Sequence, residues 1–301
     1  MADADISLEI AGIRFQNPVI AASGTFGYGS EYASLIDVAA LGGICTKGLT
    51  LQPRTGNTGR RLWETPSGLL NSIGLENPGI EAFISSELPR LRAYGPVVIA
   101  NLGGSNTEDY TEGARLLDAS SIDMIELNIS CPNVKSGGMA FGLDAECAAR
   151  LVRAVRAATS KPLIVKLSPN APLLINVACA VSAAGADALS LVNTFKAMAI
   201  DIHRRVPVFD NITAGLSGPA IRPIALRMVW ELCTAVDIPV IGLGGINSAS
   251  AALEFLMAGA RAVQVGSATF AHPPAMLEII SGIREYMHNH KMSSLQELAL
   301  R

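Results

Sequence analysis

The sequence has no CxxC pair, no closely spaced cysteine quartet and no histidine cluster. Its five cysteines, Cys45, Cys131, Cys147, Cys179 and Cys233, form an odd, scattered set. That argues against a disulfide framework and fits a reducing compartment. A self-contained iron–sulfur cluster is also disfavoured, because ordinary clusters need about four closely arranged thiolates. The four histidines, His203, His272, His288 and His290, carry no metal-ligand spacing and read as surface residues, so no metal is expected. Basic residues form no long run and the net charge is −3, which disfavours nucleic acid or an anionic membrane as main partner and leaves a small molecule. The opening Met1-Ala-Asp-Ala-Asp-Ile lacks the regions of a signal peptide, and the longest apolar stretch, near 177–192, is broken by Asp187. The expectation is a soluble, cytoplasmic protein without a membrane span. No Gly-x-Gly-x-x-Gly opens a helix after a strand, so a nicotinamide dinucleotide is not expected to bind in Rossmann fashion.

What is present is regular. Half of the 301 residues are apolar, enough for a large core in one domain spanning 1–301. Eight short apolar runs alternate with Ala- and Leu-rich helical segments: Val19-Ala22, Gly43-Lys47, Val97-Leu102, Met124-Ser130, Leu163-Ser168, Ala188-Asn193, Val240-Gly244 and Ala262-Gly266. Such alternation means parallel strands, and eight strand–helix units predict an α/β fold, a closed (β/α)8 TIM barrel. An open doubly wound sheet would need a strand-order reversal and usually a glycine-rich first turn, and neither is evident. Ile6-Ile10 and Ile13-Phe15 around Gly12 predict an opening hairpin that closes the barrel floor. Two long loops, Gly48–Leu75 after the second strand and Ala197–Pro219 after the sixth, have the length of functional lids or partner surfaces.

A barrel of this kind does its chemistry where the strands end. The residues delivered there are Ser23-Gly24, Thr46-Lys47, Asn101, Asn128 with Cys131, Lys166, Asn193-Thr194, Gly244-Gly245 and Gly266-Ser267. In Met124–Ser130 the period of two turns Glu126, Asn128 and Ser130 to one face, and Pro132 keeps Cys131 extended after the strand. A cysteine is commonly a small buried hydrophobe, yet packing has no need of Asn128, Ser130 and Asn133 around it, whereas a reactive thiol does. The same alternation points Lys166 inward. A buried lysine is costly unless paired with an anion or used chemically. The glycines closing the last two strands let backbone N–H groups approach a phosphate. Asn71-Ser72-Ile73-Gly74-Leu75 suits a small planar carboxylate or imide. Lysines and phosphate loops would equally serve an aldolase or a sugar-phosphate isomerase.

Taken together, several motifs resemble one family, the class 1 dihydroorotate dehydrogenases. They are Ala22-Ser-Gly-Thr-Phe-Gly-Tyr-Gly, Thr46-Lys-Gly-Leu-Thr, the run from Glu64 to Gly79, Asn128-Ile-Ser-Cys-Pro-Asn-Val-Lys, Val165-Lys-Leu-Ser-Pro-Asn and Gly215-Leu-Ser-Gly-Pro-Ala-Ile. The resemblance covers nearly the whole chain, and Val134-Lys135-Ser-Gly-Gly is similar to subclass 1B. It implies oxidation of dihydroorotate to orotate in pyrimidine biosynthesis, with Cys131 as base and FMN as cofactor. It places Ser23, Thr46, Lys47, Asn101, Asn128, Lys166, Val192, Gly218, Gly244, Gly245, Gly266 and Ser267 around FMN. Substrate contacts are implied for Lys47, Asn71, Ser72, Ile73, Gly74, Leu75, Asn128, Asn193 and Thr194, with Lys47 counted as catalytic beside Cys131. Lys166 is implied to stabilise the charge of reduced flavin.

Subclass 1B further implies a partner subunit carrying FAD and a [2Fe-2S] cluster that passes electrons to NAD, around a homodimer core in a heterotetramer. Three departures stand out. Gly56-Asn-Thr-Gly-Arg60-Arg61 replaces an expected Gly-Asn-Pro-Thr-Pro-Arg, Glu76 stands where glutamine is expected, and Ser267-Ala268-Thr269 replaces Thr-Ala-Asn. Fumarate as acceptor (class 1A), a dihydropyrimidine as substrate, and a flavin electron-relay subunit remain as alternatives. A relay has no use for the base at Cys131.

Overall fold

The computed structural model describes residues 4–130 and 141–300. An antiparallel hairpin, β1 (Leu8–Ile10) with β2 (Ile13–Phe15), opens the chain. Strands β3 (Val19–Ala21) and β4 (Gly43–Cys45) begin the main sheet, and β5 (Leu62–Thr65) and β6 (Gly68–Asn71) leave it. It resumes with β7 (Val97–Leu102), β8 (Met124–Asn128), β9 (Leu163–Lys166) and β10 (Ala188–Leu191). A second excursion holds β11 (Phe195–Met198), β12 (Ile200–Asp201), β13 (Val206–Pro207) and β14 (Thr213–Ser217). Finally come β15 (Val240–Leu243) and β16 (Ala262–Val265).

The main sheet closes in the order β3-β4-β7-β8-β9-β10-β15-β16 and back to β3, every pair parallel. This is the expected (β/α)8 barrel. Each predicted run contains a barrel strand, but except for β7 the observed strand stops one or two residues earlier. Those residues leave the ladder at the rim to present polar groups.

The barrel strands β8, β9, β10, β15 and β16 are buried at every position, as expected for a parallel sheet covered on both faces. Alternation then sorts them. Ile125, Leu127, Val165, Leu189, Val263 and Val265 face outward, into one cluster with the helices. Ile20, Ile99, Met124, Ile164, Ala188, Ile241 and Ala262 form an inner layer, and Leu8, Ile10 and Phe15 of the hairpin pack against it. The hairpin therefore plugs the barrel floor, as its sequence predicts.

Helices Thr107–Asp118, Ala145–Arg156 and Ala249–Met257 start on side-chain caps: Asn106 Oδ1 accepts from Asp109 N at 2.8 Å, Asp144 Oδ1 from Cys147 N at 2.8 Å and Ser248 Oγ from Ala251 N at 3.2 Å. These satisfy N–H groups that the first helical turn leaves free.

Two differences from the predicted repeat have physical causes. Between β3 and β4 no α-helix forms, only turns and a short 3-10 helix, Val38–Ala40. Gly24 and Gly27 hold positive φ there, 85° and 59°, which interrupts a helix. The long loops are also not structureless. Their strands make one antiparallel sheet in the order β11-β14-β6-β5, with Leu69, Leu70 and Asn71 opposite Ser217, Leu216 and Gly215. Leu70, Phe209 and Ala214 give it a small core of its own. The two excursions thus form one roof joined over the sixth strand's end.

Candidate active site

Two residues above the inner apolar layer, the inward positions turn polar. Cys45, Asn101, Glu126, Lys166, Ser190 and Gln264 come from six strands and are all buried. Glu126 is their hub. Its Oε1 accepts from Cys45 Sγ (3.1 Å), Asn101 Nδ2 (2.7 Å) and Lys166 Nζ (3.3 Å), and its Oε2 from Ser190 Oγ (2.8 Å) and Gln264 Nε2 (2.7 Å). Burial alone would raise the Glu126 carboxyl. The Lys166 ammonium and hydrogen bonds from Gln264, Cys45 and Ser190 outweigh it and hold the group below the usual carboxylate range. Burial, then the Glu126 charge, push the Cys45 thiol well above its ordinary value, so Cys45 donates as a neutral thiol.

A chain of amides carries this network to the rim. Asn128 Nδ2 donates to Asn101 Oδ1 at 3.4 Å, and Asn128 Oδ1 accepts from Ser130 Oγ at 2.7 Å. Asn193 Nδ2 donates to Ser130 Oγ, and Asn193 Oδ1 accepts from Thr194 N at 2.8 Å. Thr46 Oγ1 accepts from Asn101 N at 3.1 Å, and Tyr110 OH anchors the Asn128 carbonyl at 2.8 Å. Six of the predicted residues, Thr46, Asn101, Asn128, Lys166, Asn193 and Thr194, are therefore joined in one hydrogen-bonded network through Glu126 and Ser130.

Lys47, next after Thr46, is half-buried, with Nζ 3.6 Å from Glu76 Oε2, an oxygen that also accepts from Arg61 Nη1 at 2.9 Å. The Arg61 hydrogen bond, then the Lys47 and Arg61 charges, hold the Glu76 carboxyl below its usual range. The strap 71–75 is fixed from both excursions. Asn71 Nδ2 donates to Gly215 O (3.2 Å), while Ser72 Oγ accepts from Asn57 Nδ2 (3.1 Å) and Asn211 Nδ2 (3.2 Å). Ile73 and Gly74 follow against Asn57, and Leu75 reaches back toward Gly48 and Gly103.

At the ends of β15 and β16 the backbone itself is the feature. Gly244 and Gly245 have φ of 119° and 72°. A Cβ on Gly244 would meet Ala225 Cβ at 2.7 Å and Val192 Cγ2 at 2.9 Å, and one on Gly245 would meet Gly218 O at 2.7 Å. Val192, Gly218, Gly244 and Gly245 thus abut, while Gly266 and Ser267 lead into helix Ala268–Ala271. Ser23 follows β3 and its N–H faces the Cys45 sulfur.

The structure brings the predicted residues to one rim, but Cys131 lies outside the described residues. Glu126, Cys45, Ser190, Gln264 and Arg61 were not anticipated as site residues. The inward alternation of Glu126 was visible in sequence, but its donors are on other strands. Among the described residues no cluster of His, Cys, Asp and Glu could hold a metal ion, and no helix is long and apolar enough to cross a membrane.

Polar groups gathered at the carboxyl ends of eight parallel strands, over an apolar floor, define a TIM-barrel enzyme layout. More particularly, the chain belongs to the dihydroorotate dehydrogenase family, whose profile matches residues 5–287. It is 56% identical over 294 residues, 98% of both chains, to the dihydroorotate dehydrogenase B (NAD(+)), catalytic subunit, of Petrotoga mobilis. Proteins of the same description from Geotalea daltonii and Caldicellulosiruptor saccharolyticus are 53% and 50% identical, over 99% and 98% of this chain and 98% of each relative.

Proposed function

We propose that this chain, as one barrel domain over 1–301, oxidises dihydroorotate to orotate in pyrimidine (UMP) biosynthesis. The observation that carries the reading is the convergence of Lys47, Lys166 and the carboxamides Asn101, Asn128 and Asn193 at one rim, in a chain so similar to catalytic subunits of that activity.

The site fits FMN. Gly218, Gly244 and Gly245 hold positive φ of 100°, 119° and 72° at the strand ends, and glycine backbone there lets N–H groups approach a phosphate. Lys166 supplies a buried cation and Asn101 and Asn128 supply amides for a planar polar ring. Ser23, Thr46, Lys47, Asn101, Asn128, Lys166, Val192, Gly218, Gly244, Gly245, Gly266 and Ser267 would hold the cofactor. When bound, FMN supplies the two-electron acceptor for the hydride that leaves the substrate ring. Lys47 takes the substrate carboxylate, and Asn71 to Leu75, Asn128, Asn193 and Thr194 orient the ring. Cys131 Sγ takes the proton from the neighbouring ring carbon. An ordinary thiol pKa of about 8.5 makes that step faster toward alkaline pH. Lys166, with Glu126 behind it, sets a fixed charge where electron density accumulates. The names of the relatives support a partner subunit. We assign it FAD and a [2Fe-2S] cluster, electron delivery to NAD, and a cytoplasmic heterotetramer around a catalytic homodimer.

The test is anaerobic mixing of flavin-loaded protein with dihydroorotate while following flavin absorbance. Bleaching is expected, slowed by about 10²- to 10⁴-fold in Cys131→Ala at equal flavin content. A yellow protein that dihydroorotate leaves oxidised overturns the substrate, and equal rates in the variant overturn the base.

A further inference from the structure

A cavity of about 550 Å³ opens beside Lys47, with Tyr28, Arg54 and Glu76 in its lining. Glu76 shares one oxygen between two cations, but not equally. Arg61 Nη1 lies at 2.9 Å, a normal charge-assisted hydrogen bond, whereas Lys47 Nζ stands at 3.6 Å, beyond one. Arg54 Nη2 is occupied elsewhere, on Ser105 Oγ at 2.5 Å. The backbone around Glu76 is pinned: Asn77 exchanges both backbone hydrogen bonds with Arg54, and Asn77 Oδ1 accepts from Thr50 N and Gly79 N. With the backbone held, any exchange of partners falls to the side chains, and Lys47, Arg61 and Glu76 are 30%, 37% and 41% exposed, so it opens no core.

We propose that Glu76 is a built-in competitor of the substrate: with no ligand bound its carboxylate, hydrogen-bonded to Arg61, also stays within ion-pair range of Lys47, and the ligand's carboxylate takes over Lys47 and leaves Glu76 to Arg61 alone. Glu76 thereby sets the affinity and salt dependence of the site for anionic rings. The proposal rests on Lys47 as the substrate-carboxylate ligand.

Orotate and uracil, the same ring without a carboxylate, are titrated into flavin-loaded wild type, Glu76→Gln, Arg61→Gln and the double variant. Glu76→Gln is expected to tighten orotate about two- to fivefold, the range an exposed ion pair supports, with the gain shrinking as salt rises. Arg61→Gln, which leaves Glu76 wholly to Lys47, is expected to weaken orotate by a similar factor, and to do nothing in the Glu76→Gln background. Uracil is expected to bind all four forms alike. Unchanged or weaker orotate binding in Glu76→Gln overturns the proposal, as does equal tightening of uracil. Orotate binding to no form, together with failure of dihydroorotate to bleach the wild-type flavin, removes the functional reading and the proposal with it.

Discussion

Glu126→Gln removes one negative charge from the centre of the barrel while keeping the shape of the side chain. The new amide replaces Oε2 most easily: the Ser190 hydroxyl can turn to accept, and Gln264 can flip to present its Oε1, which is buried without a partner among the described residues. The two contacts are remade in the opposite direction at the cost of an unpaired Gln264 amide N–H and Ser190 hydroxyl, and the larger loss is the anion beside Lys166, which is only 5% exposed. Breaking a buried pair from one side costs about 3–5 kcal/mol, a large part of the roughly 5–15 kcal/mol that keeps a domain folded. Replacing both members, as Glu126→Gln/Lys166→Met, leaves no uncompensated charge and is expected to return stability to within about 1 kcal/mol of wild type. Urea denaturation followed by far-UV circular dichroism at neutral pH measures all three. The pH dependence has a definite sign. Because Glu126 is held below the unfolded glutamate value of about 4.3, its contribution is present above that pH and is lost as pH falls through the lower folded value. Glu126→Gln should flatten that acid limb. A single variant within about 1 kcal/mol of wild type, or a double variant no better than the single, would refute the counter-ion role.

Gly244→Ala places a methyl group 2.7 Å from Ala225 Cβ at a φ of 119°, and strain of roughly 1–3 kcal/mol in the proposed cofactor cradle is expected to weaken flavin binding by about 5- to 150-fold and lower the flavin that purified protein carries. Flavin-to-protein absorbance ratios decide it, and full loading would remove Gly244 from the binding list. Tyr110→Phe takes the hydroxyl from the buried Asn128 carbonyl and is expected to cost about 1–3 kcal/mol in urea denaturation, with slower turnover through a looser Asn128. Wild-type stability and kinetics together would show that Asn128 is held by its other contacts.

The barrel was legible because its strands are buried on both faces and read as short apolar runs, alternating with Ala- and Leu-rich helical segments. Lys166 was legible as inward-facing from alternation alone. Its partner was not, because the link from Glu126 to Cys45, Ser190 and Gln264 crosses the barrel between strands far apart in sequence. The roof was illegible for a related reason. β6 and β14 are short, glycine-containing segments whose pairing, Asn71 to Gly215, is fixed by the partner strand and not by local periodicity. The helix expected after β3 does not form, because positive φ at Gly24 and Gly27 keeps that segment coiled.

Closure of the barrel also has a consequence for synthesis. β3 finds its second neighbour only when β16 arrives, Ile20 beside Gln264. At about 5–20 residues per second the ribosome needs on the order of tens of seconds to cross that interval. Throughout it the nascent chain carries an open sheet edge, and Glu126 lacks the amide of Gln264. Folding of this protein is thus tied to the completion of its own translation, and a transcript truncated before β16 yields a chain with an exposed edge ready to aggregate.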